Sequence, residues 1–301
     1  MTLVADTTDD AHVCAVPVSD EQLWEVSAQF LAEGLAGAER VVYFDDDGAA
    51  DAVLDRLVDD RVPVQEPLAT GQLTVVPAEE TRRLLRRHPE EVRRLVAQTV
   101  DETLAAGWFG LRVTGQFSYG LRRPAGVALW EYDLALDAAL RECPSAKLLC
   151  LYDRRRFPEA AIEEMRALHR RELSAPALYD DGLLRITRIG SCRARLAGEV
   201  DHSNRPRIGK LLDALLDESL RGHDGPSSVE LNLASLRFLD VAAAVALVHG
   251  SERFPSTHRL VLSGVRPGVM RVLDRCGAPF AAQLVVEPHP GFTDTAHRGA
   301  A

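Results

Sequence analysis

The feature that most constrains the fold is a repeated alternation of short apolar runs with longer amphipathic segments. Between 12 and 178, each apolar run has the length of a strand, and a segment with helical periodicity follows it. Strands separated by helices of this length predict an α/β fold, with a mostly parallel sheet covered by helices on both faces. Ligands of such sheets bind beyond the carboxyl ends of the strands.

The elements of this first region follow from the same pattern. The predicted strands are 12–18, 40–44, 72–77, 110–119 and 146–153. The predicted helices are 19–37, a helix ending near 60, 79–106, 127–143 and 158–173. Because the residue before a proline disfavours helical backbone, His88 and Pro89 should divide the 79–106 stretch into two helices.

The segment SAPALYDDG at 174–182 interrupts the alternation and predicts a boundary between two domains, 12–178 and 183–288. The second domain starts with two strands and then alternates. Its predicted strands are 183–190, 192–201, 229–238, 258–264 and 283–288, and its predicted helices are 206–221, 241–253 and 266–275. The terminal segments 1–11 and 289–301 are expected to be disordered.

Composition excludes several classes of function. A formal charge of -10 argues against a nucleic-acid partner, and the arginine groups at 82–88 and 154–156 fit solvated surfaces. There is no apolar run near the roughly 20 residues of a membrane helix and no signal-like N-terminus, so we expect a cytoplasmic protein without a membrane partner. The five cysteines form no CxxC pair, so we expect free thiols, no metal site and no cofactor.

Several segments of the first domain resemble the MEDS domain, a sensory module of regulators related to DcmR. They are FLAEGLAGAERVVYF (30–44), GQLTVV (71–76), GWFGLRVTGQFS (107–118), WEYD (130–133) and LLCLYDRRRF (148–157). The resemblance implies a sensor of a small molecule, and hydrocarbon derivatives were proposed as ligands for some relatives.

The beginning of the chain also looks like RecA- and KaiC-type ATPases just after their phosphate loop. A Walker loop needs glycines and a Lys-Ser/Thr pair to hold phosphates and magnesium. Here the first strand leads into SDEQLW, which has neither glycine nor lysine, and Asp20 and Glu21 would repel phosphate. The Walker loop is absent, and we expect no ATP hydrolysis.

Candidate ligand-facing residues are those at strand carboxyl ends. They are Ser19, Asp20, Asp45, Asp46, Gln116, Tyr119, Tyr152 and Asp153. Each is also explained as a helix cap, a turn residue or a solvated carboxylate, and residue by residue that interpretation is favoured. His12 and His169 have no neighbouring nucleophile or ligand spacing, so they are predicted to have no catalytic role.

Three segments of the second domain resemble the STAS domain of anti-sigma-factor antagonists. They are LAGEVD (196–201), LNLASLRFLD (231–240) and LSGVRPGVMRVLDRCG (262–277). Regulated members carry a phosphorylatable Ser or Thr just after the aspartate. Here Val241, Ala242 and Ala243 follow Asp240, so the resemblance implies a domain without the usual switch hydroxyl.

The resemblance also implies a partner, an anti-sigma factor of the ATPase or kinase fold, or a related signalling protein. The predicted partner-binding residues are Asp201, His202, Ser203, Asn204, Asp240, Val241, Ala242 and Ala243. Asp240 taken alone is equally a helix cap, with a stabilising effect of about 1 kcal/mol.

The leading hypothesis is a non-enzymatic regulator whose sensory domain controls a partner-binding STAS domain. One alternative is an enzyme, or a small-molecule-binding protein, that uses the N-terminal crevice with Asp45 or Asp153 as acid or base. Another is an oligomerisation scaffold.

Overall fold

The structure, a computed structural model, describes residues 11–45, 48, 50–84, 86–116, 127–174, 176–221 and 227–289. The chain separates into two compact units, with the division at Pro176. Each unit has its own sheet and its own hydrophobic core.

The N-terminal unit is a five-stranded sheet with helices between successive strands. Its strands are β1 (His12–Ala15), β2 (Arg40–Phe44), β3 (Leu73–Val76), β4 (Leu111–Gln116) and β5 (Ala146–Leu151). Its helices are α1 (Asp20–Ala36), α2 (Ala50–Asp59), α3 (Gln65–Thr70), α4 (Ala78–Leu84), α5 (Pro89–Ala105), α6 (Leu129–Glu142) and α7 (Glu159–Leu168). The strand order is β1-β5-β4-β2-β3, and every pairing is parallel.

Apolar side chains project from both faces of this sheet. Leu148 and Val42 pack on one face with residues of α5, α6 and α7, whereas Val41 and Tyr43 pack on the other with residues of α1 and α2. Adjacent residues of one strand thus face opposite helix layers, as burial of both faces requires. The predicted α/β class, with a parallel sheet between two helix layers, is confirmed.

One charge is buried in this sheet. The Arg112 side chain of β4 is 4% exposed, and its guanidinium lies over the Phe30 ring. It donates hydrogen bonds to Glu33 at 3.0 Å and to Glu39 at 2.5 Å. Paired carboxylates make such burial tolerable, since an isolated buried charge is strongly destabilising.

Helix boundaries follow local signals. Ser19 caps α1, because its hydroxyl accepts from the Gln22 amide at 3.3 Å. The predicted break at His88 and Pro89 is present between α4 and α5. The short helix α3 was missed, because its six residues lie below the length at which helical periodicity can be recognised.

The C-terminal unit has a seven-stranded mixed sheet and three α-helices among its described residues. Its strands are β6 (Ala177–Asp180), β7 (Leu184–Gly190), β8 (Arg193–Val200), β9 (Ser228–Asn232), β10 (Leu236–Leu239), β11 (Arg259–Val265) and β12 (Leu284–Pro288). Its helices are α8 (Pro206–Arg221), α9 (Val241–Glu252) and α10 (Pro267–Arg275). The order is β12-β11-β9-β8-β7-β6, with β10 also beside β8, and only the β6–β7 and β7–β8 pairings are antiparallel.

One prediction for this unit is extended by the structure, and another needs correction. The segment 174–182 was predicted only as a domain boundary; it contains the division at Pro176 and also a strand, β6, which pairs with β7. The predicted strand 229–238 is two strands, because the Asn232 side chain accepts from the Ala234 amide at 3.0 Å and turns the chain. The turn lets β9 pair with β11 while β10 pairs with β8.

The termini that were predicted to be disordered, 1–11 and 289–301, lie outside the described residues except at their inner ends. Ala11 and His289 are described. His289 is buried, and its amide donates to the Val265 carbonyl at 3.0 Å, so the packed chain continues one residue beyond β12.

Gly198 offers a test of how β8 is packed. Its φ is +98°, and an added Cβ would lie 2.0 Å from the Leu183 carbonyl oxygen. We expect Gly198→Ala to destabilise the C-terminal unit by at least about 2 kcal/mol. The strain of a positive φ and the steric clash of the new Cβ with the Leu183 carbonyl both contribute to this loss. The matched Gly209→Ala change in α8, where a Cβ meets nothing within 4 Å, should stabilise by about 0.5–1 kcal/mol. Hydrogen exchange of the β8 amides measures both, and equal protection in the two variants would contradict the packing.

Candidate functional site

Four polar side chains meet inside the N-terminal unit, and we call them the polar cluster: His12, Asp133, Cys150 and His169. All four are buried, and their nitrogen, sulfur or oxygen atoms lie within 4.8 Å of one another. His12 Nε2 is 3.1 Å from His169 Nε2 and 3.4 Å from Cys150 Sγ. Cys150 Sγ is 3.6 Å from Asp133 Oδ1.

Strand register and helix ends bring these residues together. β1 and β5 are parallel neighbours in which Cys14 lies beside Cys150, so His12 and Cys150 are close despite their separation in sequence. His169 ends α7 as its C-cap, and its ring centroid is 4.3 Å from that of His12. Asp133 lies on the buried side of α6.

Hydrogen bonds from outside the polar cluster orient its members. The Tyr152 hydroxyl, just after β5, donates to Asp133 Oδ2 at 2.6 Å. His169 Nδ1 is 2.7 Å from the Met165 carbonyl oxygen. Because a carbonyl only accepts, Nδ1 carries a proton, and Nε2 is the nitrogen that faces His12. Asp133 is thereby fixed to β5, and His169 to α7.

Burial controls the protonation of these groups. It lowers the pKa of His12 to about 3, with a further lowering by His169. It raises the pKa of Asp133, and it raises the pKa values of Cys150 and Tyr152 well above their usual range. Desolvation penalises the charged form in each case, so the side chains by themselves favour a neutral network.

A cavity of about 160 Å³ borders the polar cluster. It lies between the sheet and helices α5 and α6, and its lining is mostly apolar. Asp133 and Tyr152 belong to the lining, so this hydrogen-bonded pair brings polar atoms to a mostly apolar cavity. Such a cavity suits a small molecule with an apolar body and one polar group.

The strand-end residues predicted to face a ligand have different surroundings. Ser19 caps α1, Asp20 pairs with Arg155 at 2.5 Å, and Asp45 accepts from the Ala50 amide at 3.1 Å. Asp153 accepts from the Arg155 amide at 2.9 Å and from its guanidinium.

The remaining predicted positions divide three ways. Gln116 is buried at the end of β4, while Tyr119 and Asp46 lie outside the described residues. Among the described positions in the predicted set, Tyr152 alone lines the cavity.

Sequence reasoning missed the polar cluster because its members come from four separate elements and have no motif spacing. His12 and His169 were predicted to have no neighbouring ligand, yet the fold places Cys150 and Asp133 beside them. The available signal was burial: a histidine, a cysteine and an aspartate each fell inside apolar segments. Only the strand order shows that they meet.

In the C-terminal unit, the two predicted partner-binding loops lie side by side. Asp240 caps α9, since its Oδ1 accepts from the Ala243 amide at 2.6 Å, and its Oδ2 is 3.4 Å from Arg205 at the start of α8. In the other loop the Ser203 hydroxyl donates to Asp201 at 2.5 Å, which lowers the pKa of Asp201. The Arg205 contact therefore holds the loops together.

Exposed apolar side chains flank the Asp240 loop. Val241 is 66% exposed and Phe238 is 48% exposed. His202 and Ala242 are also exposed, whereas Ala243 and Asn204 are buried. Asn204 is structural, because its amide donates to the Glu199 carbonyl at 3.1 Å. The exposed members thus form a surface of mixed polarity beside a helix N-terminus.

The fold and the site define an α/β protein of two units, the first of which holds a buried polar cluster beside an apolar cavity. The family model MEDS, the "MEthanogen/methylotroph, DcmR Sensory domain", matches residues 11–170, and the STAS domain model matches 185–285. The first match spans more than half of the chain. The chain therefore belongs to the MEDS family and carries a STAS domain, as the sequence resemblances indicated.

Solved structures resemble the chain only distantly. The flagellar accessory protein FlaH of Methanocaldococcus jannaschii is 11% identical with a TM-score of 0.40, covering 63% of this chain and 78% of its own. An uncharacterized protein, PH0321 of Pyrococcus horikoshii, solved with an unknown peptide, is 13% identical with a TM-score of 0.42, covering 58% and 80%. No curated protein gives a significant match. Among the described residues, no helix is both long and apolar enough to cross a membrane.

Tyr152 tests the link between the polar cluster and the stability of the unit. Tyr152→Phe leaves the buried Asp133 carboxyl without its hydroxyl donor, and we expect a loss of about 1–3 kcal/mol in the free energy of unfolding. Tryptophan fluorescence during urea unfolding measures the stability of the N-terminal unit alone, because the chain's tryptophans, Trp24, Trp108 and Trp130, all precede Pro176. Tyr179→Phe, which removes an exposed hydrogen bond to Asp181, is the control and should leave the fluorescence transition unchanged. Coincident transitions for wild type and Tyr152→Phe would show that the contact is not stabilising.

Proposed function

We propose that this chain is a non-enzymatic signalling regulator in which a small molecule in the N-terminal cavity controls partner binding by the STAS domain. The observation that carries the proposal is the mostly apolar cavity, to which Asp133 and Tyr152 bring hydrogen-bonding groups, inside a sensory-type unit. Both domain types are regulatory, which supports an output by binding and not by catalysis.

The size and lining of the cavity restrict the ligand. A dry apolar cavity of about 150 Å³ accommodates benzene, and this cavity has a similar volume of about 160 Å³. Val113, Leu136 and Leu148 would contact the apolar body, and the Tyr152 hydroxyl or the Asp133 carboxyl would bond one polar group. The proposed ligand is therefore a small hydrocarbon derivative of about six heavy atoms. Of the strand-end residues predicted from sequence, the proposal retains Tyr152 and adds Asp133.

For the STAS domain we propose an anti-sigma factor of the ATPase or kinase fold as partner. The docking surface consists of the loops Asp201–Asn204 and Asp240–Ala243, with Val241 as its exposed apolar contact. The exposed position after Val241 is an alanine, so the surface has no hydroxyl at the usual switch position. Control by phosphorylation there is replaced by control from the sensory unit.

Two further points support this choice. The described cysteines are free thiols, which suits action in the reducing cytoplasm. In the enzyme alternative, Asp45 or Asp153 acts as acid or base, but both carboxylates make structural hydrogen bonds to nearby backbone amides.

Filling the cavity tests the ligand part of the proposal. The probes are primary alcohols from ethanol to octanol, which combine a hydroxyl with an apolar body of graded length. Wild type should bind best at intermediate length, and Val113→Phe should abolish binding because the added ring occupies the cavity. Val75→Phe, on the opposite face of the sheet, is the matched control and should bind like wild type. Calorimetric titration gives the affinities, and equal binding by both variants would place the ligand elsewhere.

Restoring a hydroxyl tests the switch part. A kinase-fold anti-sigma factor with ATP should leave wild type unphosphorylated at 240–244 and should phosphorylate Ala242→Ser. The added charge of about -1.5 to -2 at the docking surface should then weaken binding by at least about tenfold. Phosphopeptide mass spectrometry and an affinity measurement give the two readouts.

The control for this experiment is Ser203→Ala in both backgrounds, because Ser203 is an exposed hydroxyl in the neighbouring loop. It should change neither result. Phosphate on Ser203 of the wild type, or partner binding that phosphorylation of Ala242→Ser leaves unchanged, would contradict this account of the docking surface.

A further inference from the structure

We propose that the polar cluster binds one divalent transition-metal cation of the zinc class. The ligands are His12 Nε2, His169 Nε2, Cys150 Sγ and Asp133 Oδ1. This inference departs from the sequence-based expectation of no metal site. It shares Asp133 with the proposed ligand site, but its test depends on neither ligand nor partner binding.

The distances between the ligand atoms match a small tetrahedral site. Zinc bonds of about 2.0–2.3 Å to nitrogen, oxygen and sulfur place ligand atoms roughly 3.3–3.6 Å apart at the tetrahedral angle. The three adjacent contacts of the cluster measure 3.1, 3.4 and 3.6 Å. The widest separation of any pair is 4.8 Å, so a bound cation would draw that pair closer by about 1 Å.

Outer contacts hold the ligands in the orientation that a metal needs. Metal-binding histidines generally donate their second ring nitrogen to a carbonyl or carboxylate. His169 Nδ1 donates to the Met165 carbonyl at 2.7 Å, whereas His12 Nδ1 lies 3.8 Å from Asp137 Oδ1, too far for a hydrogen bond. The non-ligand oxygen of Asp133 accepts from Tyr152 at 2.6 Å. These contacts leave His169 Nε2 and the other Asp133 oxygen facing the remaining ligand atoms.

Charge and donor type specify the class of cation. A thiolate and a carboxylate bring a charge of -2 into a buried site, and one divalent cation compensates it. Two imidazoles, one thiolate and one carboxylate are ligands that zinc and similar first-row metals accept, whereas calcium and magnesium prefer oxygen alone.

A route to the site is also present. A second cavity, lined by Asp137, Arg141 and Arg170 among others, reaches His12. Asp133, at the other side of the cluster, lines the apolar cavity. A cation held here would therefore lie between a polar opening and the space proposed for the ligand.

The test is titration of full-length, chelator-treated protein with cobalt(II) and then zinc(II). Wild type should bind one cobalt with a tetrahedral visible spectrum and a thiolate-to-cobalt charge-transfer band, and zinc should displace it. Cys150→Ala should lose the charge-transfer band and weaken zinc binding by at least about 100-fold, more than the 10–100-fold typical of outer contacts. His169→Gln should also weaken zinc binding, with loss of the tetrahedral spectrum.

The matched control is Cys14→Ala. Cys14 is a buried cysteine on the neighbouring strand, directly beside Cys150 in the sheet register, and it is not a ligand. It should retain both the band and the affinity. Tryptophan fluorescence shows that each variant is folded. Absence of a charge-transfer band in wild type, or its equal loss in Cys14→Ala and Cys150→Ala, would overturn the proposal, and neither result depends on alcohol or partner binding.

Discussion

The contact between Asp133 of α6 and the end of β5 is the interaction on which the sensory unit depends. A buried carboxyl is unfavourable unless it is hydrogen-bonded, so α6 must remain where Tyr152 and Cys150 can reach it. The cavity exists because α5 and α6 are held at this position while the apolar side chains beneath them do not fill the space. Anything bound there therefore contacts the same groups that fix the helix to the sheet.

The proposed docking surface of the second unit includes a residue that also stabilises the fold. Asp240 stabilises the start of α9 and, through Arg205, the neighbouring loop. Both explanations of Asp240 offered by the sequence are therefore compatible. Val241 contributes little to the core, because it is largely exposed.

Much of the fold could be predicted from sequence, because strand and helix periods are local properties. The parallel sheet and the break at His88 and Pro89 were predicted in this way, whereas both domain families were predicted from the resemblance of particular segments. Strand β10 was not, because a single Asn232 side chain creates the turn. The polar cluster could not be predicted either, since strand order and not spacing brings His12 to Cys150. Ser19, Asp20, Asp45 and Asp153, which were predicted to face a ligand, have local roles in helix caps, turns and ion pairs. Their position at strand ends does not reveal these roles.

The central claim is that occupancy of the N-terminal cavity changes the affinity of the STAS domain for its partner. Thermodynamic linkage allows this coupling to be measured directly. The affinity of full-length protein for its anti-sigma factor should be measured by calorimetry without alcohol and with a saturating alcohol that binds the cavity. The account predicts a change of at least about fivefold, the lower end of typical allosteric coupling. The alcohol's own affinity should change by the same factor when the partner is bound. An unchanged partner affinity with the cavity demonstrably occupied would contradict the account.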